Sequence, residues 1–121
     1  MDSPEFRLPL DLHQIQSFHE QLDAAKGFDR DPIRNVAYLV EELGEASRAV
    51  RRLSRSAPSE PEHQRLRDDL AEELADCLAY LAKIATYHEI DLEVAYLDKM
   101  RRNEGRDWHA KEQPGGGGPS P

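Results

Sequence analysis

Acidic side chains form two dense groups in the middle of the chain, and their spacing is typical of metal binding. The first group is the stretch EELGE, which contains Glu41, Glu42 and Glu45. The second is DDLAEELAD, residues 68–76, which holds five acids and no base. Acids four residues apart repel each other by about 0.2–0.5 kcal/mol on a helix. Because carboxylate oxygens are the ligands that hard cations prefer, the two groups predict a Mg²⁺ or Mn²⁺ site.

The best candidate ligands are the acids that border the apolar face of each predicted helix. In the first group this acid is Glu42, and in the second it is Glu73, with Asp76 one turn away on the same side. If the two helices are antiparallel neighbours, the groups face each other, and repulsion between them grows as the local dielectric falls. The alternative interpretation is a pair of solvated acidic surfaces with nearby arginines as local ion-pair partners.

A basic segment near the end of the chain adds a second kind of chemistry. Its sequence is KMRRNEGRDW, and Lys99, Asn103 and Arg106 share one face if the helix continues through it. Lysine and arginine beside a carboxylate–metal site suit a polyphosphate, because they neutralise phosphate oxygens that the metal does not reach. The alternative is a basic helix end that only complements the helix dipole.

Helical periodicity predicts four helices and indicates no strand. The helices are expected to begin after Asp11, Asp31, Ser59 and Asp91, and a capping box between Ser59 and Glu62 would start the third. The connections between them are short. The sequence therefore predicts an all-α fold, an antiparallel four-helix bundle that dimerises.

Length and composition restrict the fold to one domain. We place it at residues 10–108, between a flexible N-terminus, residues 1–9, and a disordered Gly/Pro-rich tail, residues 109–121.

The net charge of −8 argues against nucleic acid or an anionic membrane as a partner. The single Cys77 excludes an internal disulfide framework, and the lack of a signal sequence or a long apolar run favours a cytoplasmic location. Because so small a bundle has a limited core, we expect a homodimer or homotetramer.

Taken together, the three motifs resemble those of the MazG-like all-α nucleoside triphosphate pyrophosphohydrolases, the group that includes dCTP pyrophosphatase. The family's ExxE, ExxD and KxxxN motifs correspond here to Glu42 with Glu45, Glu73 with Asp76, and Lys99 with Asn103. The resemblance implies that the four acids hold Mg²⁺, with Mn²⁺ as a substitute. A related enzyme, phosphoribosyl-ATP pyrophosphatase, shares the acidic pattern but differs in its basic motifs.

The resemblance also implies which residues contact the nucleotide. Tyr80 matches a position near the sugar, and His19 and Phe28 match a histidine and an aromatic residue that pack on the nucleotide. His19 on an apolar stripe could instead be a hydrogen-bonded core histidine. The full set of candidate substrate-binding residues is His19, Phe28, Tyr80, Lys99, Asn103 and Arg106.

These features predict an enzyme that hydrolyses a nucleoside triphosphate, dCTP-like or non-standard, to the monophosphate and pyrophosphate by metal-activated water. Glu41 or Glu72, each next to a ligand position, would orient or deprotonate the water, and helix geometry does not choose between them. The alternatives are a phosphoribosyl-ATP pyrophosphatase-like enzyme, a helical dimer that binds nucleotide or metal without hydrolysis, and a purely structural helical dimer.

Overall fold

The structure is a computed structural model that describes residues 6–105, which form four α-helices. The helices are α1 (Leu12–Lys26), α2 (Pro32–Ser54), α3 (His63–Tyr87) and α4 (Leu92–Glu104). No strand occurs within the described range. The prediction of an all-α fold of four helices is confirmed.

Three of the four helices begin at the aspartates that the sequence predicts. The carboxylates of Asp11, Asp31 and Asp91 each accept a hydrogen bond from the backbone N–H three residues further on, at 2.8, 2.8 and 3.1 Å. These bonds satisfy N–H groups that have no partner inside the helix. Gly27 ends α1 in the left-handed conformation, with φ 66°, which glycine adopts without steric cost.

Helix α3 begins later than predicted. The predicted capping box between Ser59 and Glu62 is wrong, because Glu62 is the N-cap residue of a helix that starts at His63, and its side chain makes no capping bond. Pro61 explains the delay, since the residue before a proline is disfavoured in the helical conformation. The residues before α3 form turns instead.

Helix α3 is the centre of the fold. It packs most extensively against α2 and also contacts α1 and α4, while α4 contacts α1 as well. Most of the buried apolar side chains are small. The buried set is Ala46, Ala49, Leu66, Cys77, Ala82 and Ala85. Because the distance between packed helices depends on the side chains between them, these small residues keep α2 and α3 close together.

Apolar side chains on α2 and α3 also remain at the surface. Each set follows helical spacing on one face of its helix, and every member is more than a third exposed: Val36, Val40, Leu43 and Val50 on α2, and Leu74, Leu78 and Leu81 on α3. Exposed apolar patches of this kind mark interaction surfaces. We call these two sets the apolar rows.

The ends of the chain are described only in part. Within the N-terminal segment expected to be flexible, residues 1–9, the ring of Phe6 stacks on that of Phe18 with centroids 4.3 Å apart. Residues 1–5 and 106–121 lie outside the described residues, so the expected tail and domain limits remain predictions. None of the helices described is both long enough and apolar enough to cross a lipid bilayer.

Candidate active site

Three of the four predicted ligand acids converge between α2 and α3. One carboxylate oxygen from each of Glu42, Glu73 and Asp76 lies within 4.8 Å of the other two. Glu42 projects from the middle of α2, and the other two lie one turn apart on α3. Glu42 and Glu73 are half-buried, whereas Asp76 is exposed. We call these three residues the acid cluster.

The acid cluster holds more negative charge than its surroundings neutralise. A hydrogen bond shared with Glu73, then burial and the charges of Glu73, Asp76 and Glu45, raise the pKa of Glu42 to about 7. Glu73 Oε2 is buried and has no hydrogen-bond partner among residues 6–105. Unsatisfied buried oxygens are costly, and a shared proton only partly relieves the repulsion. The cluster therefore fits a hard divalent cation, since every donor atom is a carboxylate oxygen.

Two further predicted acids lie along a groove beside the cluster. Glu45 and Glu72 line this groove, of about 110 Å³, together with Glu73, Arg48 and Arg52. In the part of the chain that the structure describes, no arginine forms an ion pair with the acid cluster. The alternative of an acidic surface already neutralised by nearby arginines is therefore not what the structure shows for these three residues.

An aromatic cavity of about 340 Å³ opens next to the acid cluster, between α1, the α1–α2 loop, α2 and α3. Its walls include the three residues predicted to contact the nucleoside, His19, Phe28 and Tyr80. Burial, then the negative charges of Glu42 and Asp76, raise the pKa of Tyr80, which borders both features. Burial also lowers the pKa of His19 and so favours its neutral form.

A comparison with known protein families identifies the family of this chain. The MazG nucleotide pyrophosphohydrolase domain matches residues 30–110, more than half of the chain. The chain belongs to this family. The family that the motifs predicted is thus confirmed. At the level of the family, this match supports a nucleotide pyrophosphohydrolase activity that uses a divalent metal. A comparison with curated proteins finds no match.

The matched segment of this MazG domain contains the whole acid cluster but not the whole aromatic cavity. His19 and Phe28 precede residue 30, so α1 and the start of the loop supply their part of the wall from outside the matched segment. The match therefore covers the acid cluster and the walls of the cavity that α2 and α3 supply. The opposite wall of the cavity belongs to this chain's own N-terminal region.

The cavity wall of the MazG domain includes a buried ion pair that the sequence analysis missed. Lys83 Nζ lies 3.3 Å from Asp23 Oδ1, and the two side chains are only 11 % and 1 % exposed. The hydroxyl of Tyr87 donates a hydrogen bond to Asp23 Oδ2 at 2.5 Å. The Lys83 ammonium also lies 5.8 Å from the ring centroid of Phe28 and 5.5 Å from that of Tyr80. One signal was available, because Lys83 is the single charged residue in an apolar run, and a buried lysine is rare unless it is paired.

Asn35 is a second polar wall residue that the sequence analysis missed. It is fully buried, and its side-chain amide donates hydrogen bonds to the backbone carbonyls of Asp29 at 2.9 Å and Asp31 at 2.8 Å. The carboxylate of Asp29 accepts hydrogen bonds from Arg34 Nε at 2.6 Å and from the Tyr38 hydroxyl at 3.0 Å. The bond from Arg34 is the main reason why the pKa of Asp29 lies well below its usual range. These contacts fix the α1–α2 loop against α2.

The predicted phosphate-binding residues on α4 do not line the cavity or the groove. Asn103 is buried, its amide nitrogen lies 3.9 Å from Met100 Sδ, and its Oδ1 has no hydrogen-bond partner within the described range. Lys99 is half-buried on the same helix, and Arg106 lies outside the described residues. Within one chain the structure therefore brings the acids and the aromatic residues to one region, while Lys99 and Asn103 line neither the cavity nor the groove.

Proposed function

We propose that this MazG domain hydrolyses a nucleoside triphosphate to the monophosphate and pyrophosphate. The observation that carries the proposal is the acid cluster directly beside the aromatic cavity, with Tyr80 bordering both. A nucleotide has the matching chemistry, because its phosphates bind cations and its base stacks on aromatic rings. Membership of the MazG family supports the reaction class.

The residues proposed to hold Mg²⁺, or Mn²⁺ in its place, are Glu42, Glu45, Glu73 and Asp76. Three of these residues form the acid cluster, and Glu45 borders the same groove as Glu73. When bound, the cation neutralises phosphate charge and lowers the pKa of water, so that water becomes a nucleophile near neutral pH. The chain contributes an array of oxygens that two packed helices hold in position before the substrate arrives.

The proposed proton acceptor is Glu41 or Glu72. Both are exposed, and each is next in sequence to a proposed ligand. The charge of Glu41 makes the smallest contribution to the raised pKa of Tyr80, after burial, Glu42, Asp76 and Tyr38. Glu72 instead lines the groove. Replacing each by Gln separates the two, because loss of the true base lowers kcat while leaving KM nearly unchanged.

The nucleoside is proposed to bind in the aromatic cavity, with its base against His19 and Phe28 and its sugar near Tyr80. Phe28 is 48 % exposed, which leaves ring surface available for stacking. Neutral His19 can donate one hydrogen bond and accept another. The resemblance to dCTP pyrophosphatase favours a dCTP-like or non-standard deoxynucleotide as the substrate.

The active form is proposed to be a homodimer or homotetramer. The buried apolar residues of one chain are mostly small, while the apolar rows on α2 and α3 stay exposed, Val40 by 61 % and Leu74 by 56 %. Covering such surface is favourable by roughly 25 cal/mol per Å². A second copy of the chain is also the proposed means by which Lys99, Asn103 and Arg106 reach the phosphates.

A panel of triphosphates tests the proposed hydrolysis. The full chain is incubated with natural and damaged ribo- and deoxynucleoside triphosphates and with phosphoribosyl-ATP, with Mg²⁺, with Mn²⁺ or with a chelator. We expect equal amounts of monophosphate and pyrophosphate from at least one triphosphate, and none with the chelator. Orthophosphate as the product, or nucleotide binding without pyrophosphate release, would contradict the proposal. Turnover of phosphoribosyl-ATP alone would favour the related enzyme instead.

A further inference from the structure

The aromatic cavity contains a buried hydrogen-bond acceptor that the described chain leaves unsatisfied. Asn35 Oδ1 has no partner within residues 6–105, although the side chain is fully buried in the cavity wall. Both N–H groups of the same amide are engaged, one with the carbonyl of Asp29 and one with that of Asp31. Rotating the amide would break both bonds, so the oxygen is fixed as an acceptor. A buried acceptor without a partner is costly, so a ligand N–H group that reaches this oxygen is favourable.

The same cavity also offers a charged donor. The ammonium group of Lys83 has three N–H bonds, and Asp23 Oδ1, at 3.3 Å, engages only part of this capacity. The group lies close to the rings of Phe28 and Tyr80, where a stacked base would sit. One fixed acceptor and one donor therefore lie beside aromatic surfaces in the same cavity.

The position of this pair along the helices matches the base end of a nucleotide. Asn35 precedes Glu42 by two turns on α2, and Lys83 follows Asp76 by two turns on α3, which is roughly 10 Å at ~1.5 Å per residue. Helices α2 and α3 are antiparallel, because Tyr38 contacts Tyr80 while Arg52 lines the groove with Leu66. Both displacements from the acid cluster therefore point the same way. A nucleotide whose phosphates lie at the acid cluster would carry its base toward Asn35 and Lys83.

We infer that Asn35 Oδ1 and Lys83 Nζ recognise the edge of the base and select bases with an exocyclic amino group next to a ring acceptor, such as cytosine and adenine. This inference rests on the proposed function. The amino group donates to Asn35, and the ring acceptor receives a hydrogen bond from Lys83. In the keto counterparts, uracil and hypoxanthine, an oxygen replaces the amino group and faces the Asn35 oxygen. A site that hydrogen-bonds one group strongly rejects an analogue that lacks it.

Matched amino and keto nucleotides test the inference on the unmodified chain. The probes are the α,β-imido analogues of dCTP and dUTP, and of dATP and dITP, in which the bond between the α and β phosphates resists hydrolysis. Their binding is measured by calorimetry with Mg²⁺ present. We expect the amino member of each pair to bind at least about ten-fold more tightly, the lower end of discrimination by one good base contact. Equal affinities, or tighter binding of the keto member, would overturn the inference.

Two variants assign the preference to Asn35. In Asn35→Ala the ratio of amino to keto affinity should fall toward one. Arg34→Ala, which loosens the same loop but keeps the Asn35 oxygen, should retain the ratio. Because the ratio compares two ligands on one protein, a general loss of stability cancels. A full ratio in folded Asn35→Ala would overturn the assignment, and if that variant does not fold, the comparison on the unmodified chain decides.

Turnover of the cleavable triphosphates separates this inference from the proposed function. Pyrophosphate released equally well from amino and keto triphosphates would overturn base selection and leave hydrolysis standing. An amino preference in binding without any pyrophosphate release would support base recognition and overturn hydrolysis. Preference in both binding and turnover would support both.

Discussion

Among residues 6–105, two groups of side chains have the spacing of a metal site, and they differ in how their charge is compensated. One is the acid cluster between α2 and α3. The other is formed by Asp11, His13 and Glu93 where α1 and α4 begin, and its ligand atoms also lie within 4.8 Å of one another. Together with Asp91, which contacts the same histidine, we call this second group the histidine cluster.

The acids of the histidine cluster already have partners among the described residues. His13 Nε2 lies 2.8 Å from Asp91 Oδ2, and His13 Nδ1 lies 3.1 Å from Glu93 Oε2. Asp11 and Asp91 are also the N-caps of α1 and α4, so backbone N–H groups stabilise their charge. His13 thus links the starts of two helices, and each of its ring nitrogens contacts a carboxylate.

The acid cluster has no comparable partner among the described residues. Two of its carboxyl groups share a proton, which is the main reason why the pKa of Glu42 rises to about 7, and Glu73 Oε2 is left unsatisfied. The number of nearby carboxylates therefore says little about metal binding. What separates the two groups is whether neighbouring side chains and backbone already neutralise the charge.

The largest effect is expected when Asp76 of the acid cluster loses its charge. Asp76→Asn should reduce pyrophosphate release by more than about 100-fold, since even the partners of metal ligands are worth 10–100-fold. The same change should raise the thermal midpoint without metal, because repulsion within the cluster is relieved. Turnover and thermal melting with and without Mg²⁺ measure both effects.

Glu93→Gln is the matched control for Asp76→Asn. It removes a carboxylate charge from the histidine cluster. Because Mg²⁺ is expected to bind the acid cluster and not this group, both turnover and the rise in thermal midpoint on adding Mg²⁺ should stay unchanged. An active Asp76→Asn enzyme would refute the assignment of the acid cluster. Loss of the Mg²⁺ effect in Glu93→Gln would show that the histidine cluster binds the ion instead.

A smaller effect is expected in the coupling between Mg²⁺ and protons. Below about pH 7, Glu42 is protonated in the folded, metal-free protein because its pKa is raised. Mg²⁺ needs the ionised form, so binding at pH 6 should release about one proton per cluster and binding at pH 8 far fewer. Apparent affinity should therefore rise with pH and level off above pH 7. Calorimetry in buffers of different ionisation enthalpy measures the proton count.

Glu42→Gln is the check on this linkage. It removes the titrating group, so any remaining Mg²⁺ binding should release no proton at pH 6. If the unmodified protein binds Mg²⁺ with the same affinity and no proton release at both pH values, the shared proton is not what the ion displaces.

The fold was predictable wherever local rules decide the structure. Asp11, Asp31 and Asp91 begin helices because each carboxylate caps its own backbone, which sequence spacing shows directly. The start of α3 was mispredicted because Pro61 overrides a capping box that the residue types alone would allow. Local chemistry thus accounted for both the successes and the failure.

The site was predictable only where its residues carry a spacing signal. The acids of the cluster stand at helical intervals in the sequence, so each pair lies on one face of its helix. That the two faces meet could be inferred by taking α2 and α3 as antiparallel neighbours. Asp23 and Asn35 have no such pattern, because their burial depends on how α1 and the loop fold over α2 and α3. Tertiary packing, rather than any local rule, created the polar part of the cavity.

The smallest effect is expected from the histidine cluster and concerns stability rather than catalysis. The hydrogen bond to Asp91 is the main reason why the pKa of His13 is raised, so folding favours the imidazolium form. Its stabilising contribution is complete below the unfolded pKa and is lost as pH rises through the folded value. The pKa of Asp91 is lowered, chiefly by the Val94 N–H and then by His13, so its contribution is lost as pH falls through that value.

The pair should therefore stabilise the protein most at mildly acidic pH, where Asp91 is ionised and His13 is protonated. The difference in thermal midpoint between the unmodified chain and His13→Gln should peak there and shrink toward alkaline pH. His88→Gln, a change at an exposed histidine at the end of α3, serves as the control and should show no such peak. If the difference in thermal midpoint between the unmodified chain and His13→Gln stays constant with pH, the contact acts through packing alone. In that case His13 does not stabilise the carboxylates of the histidine cluster by its charge.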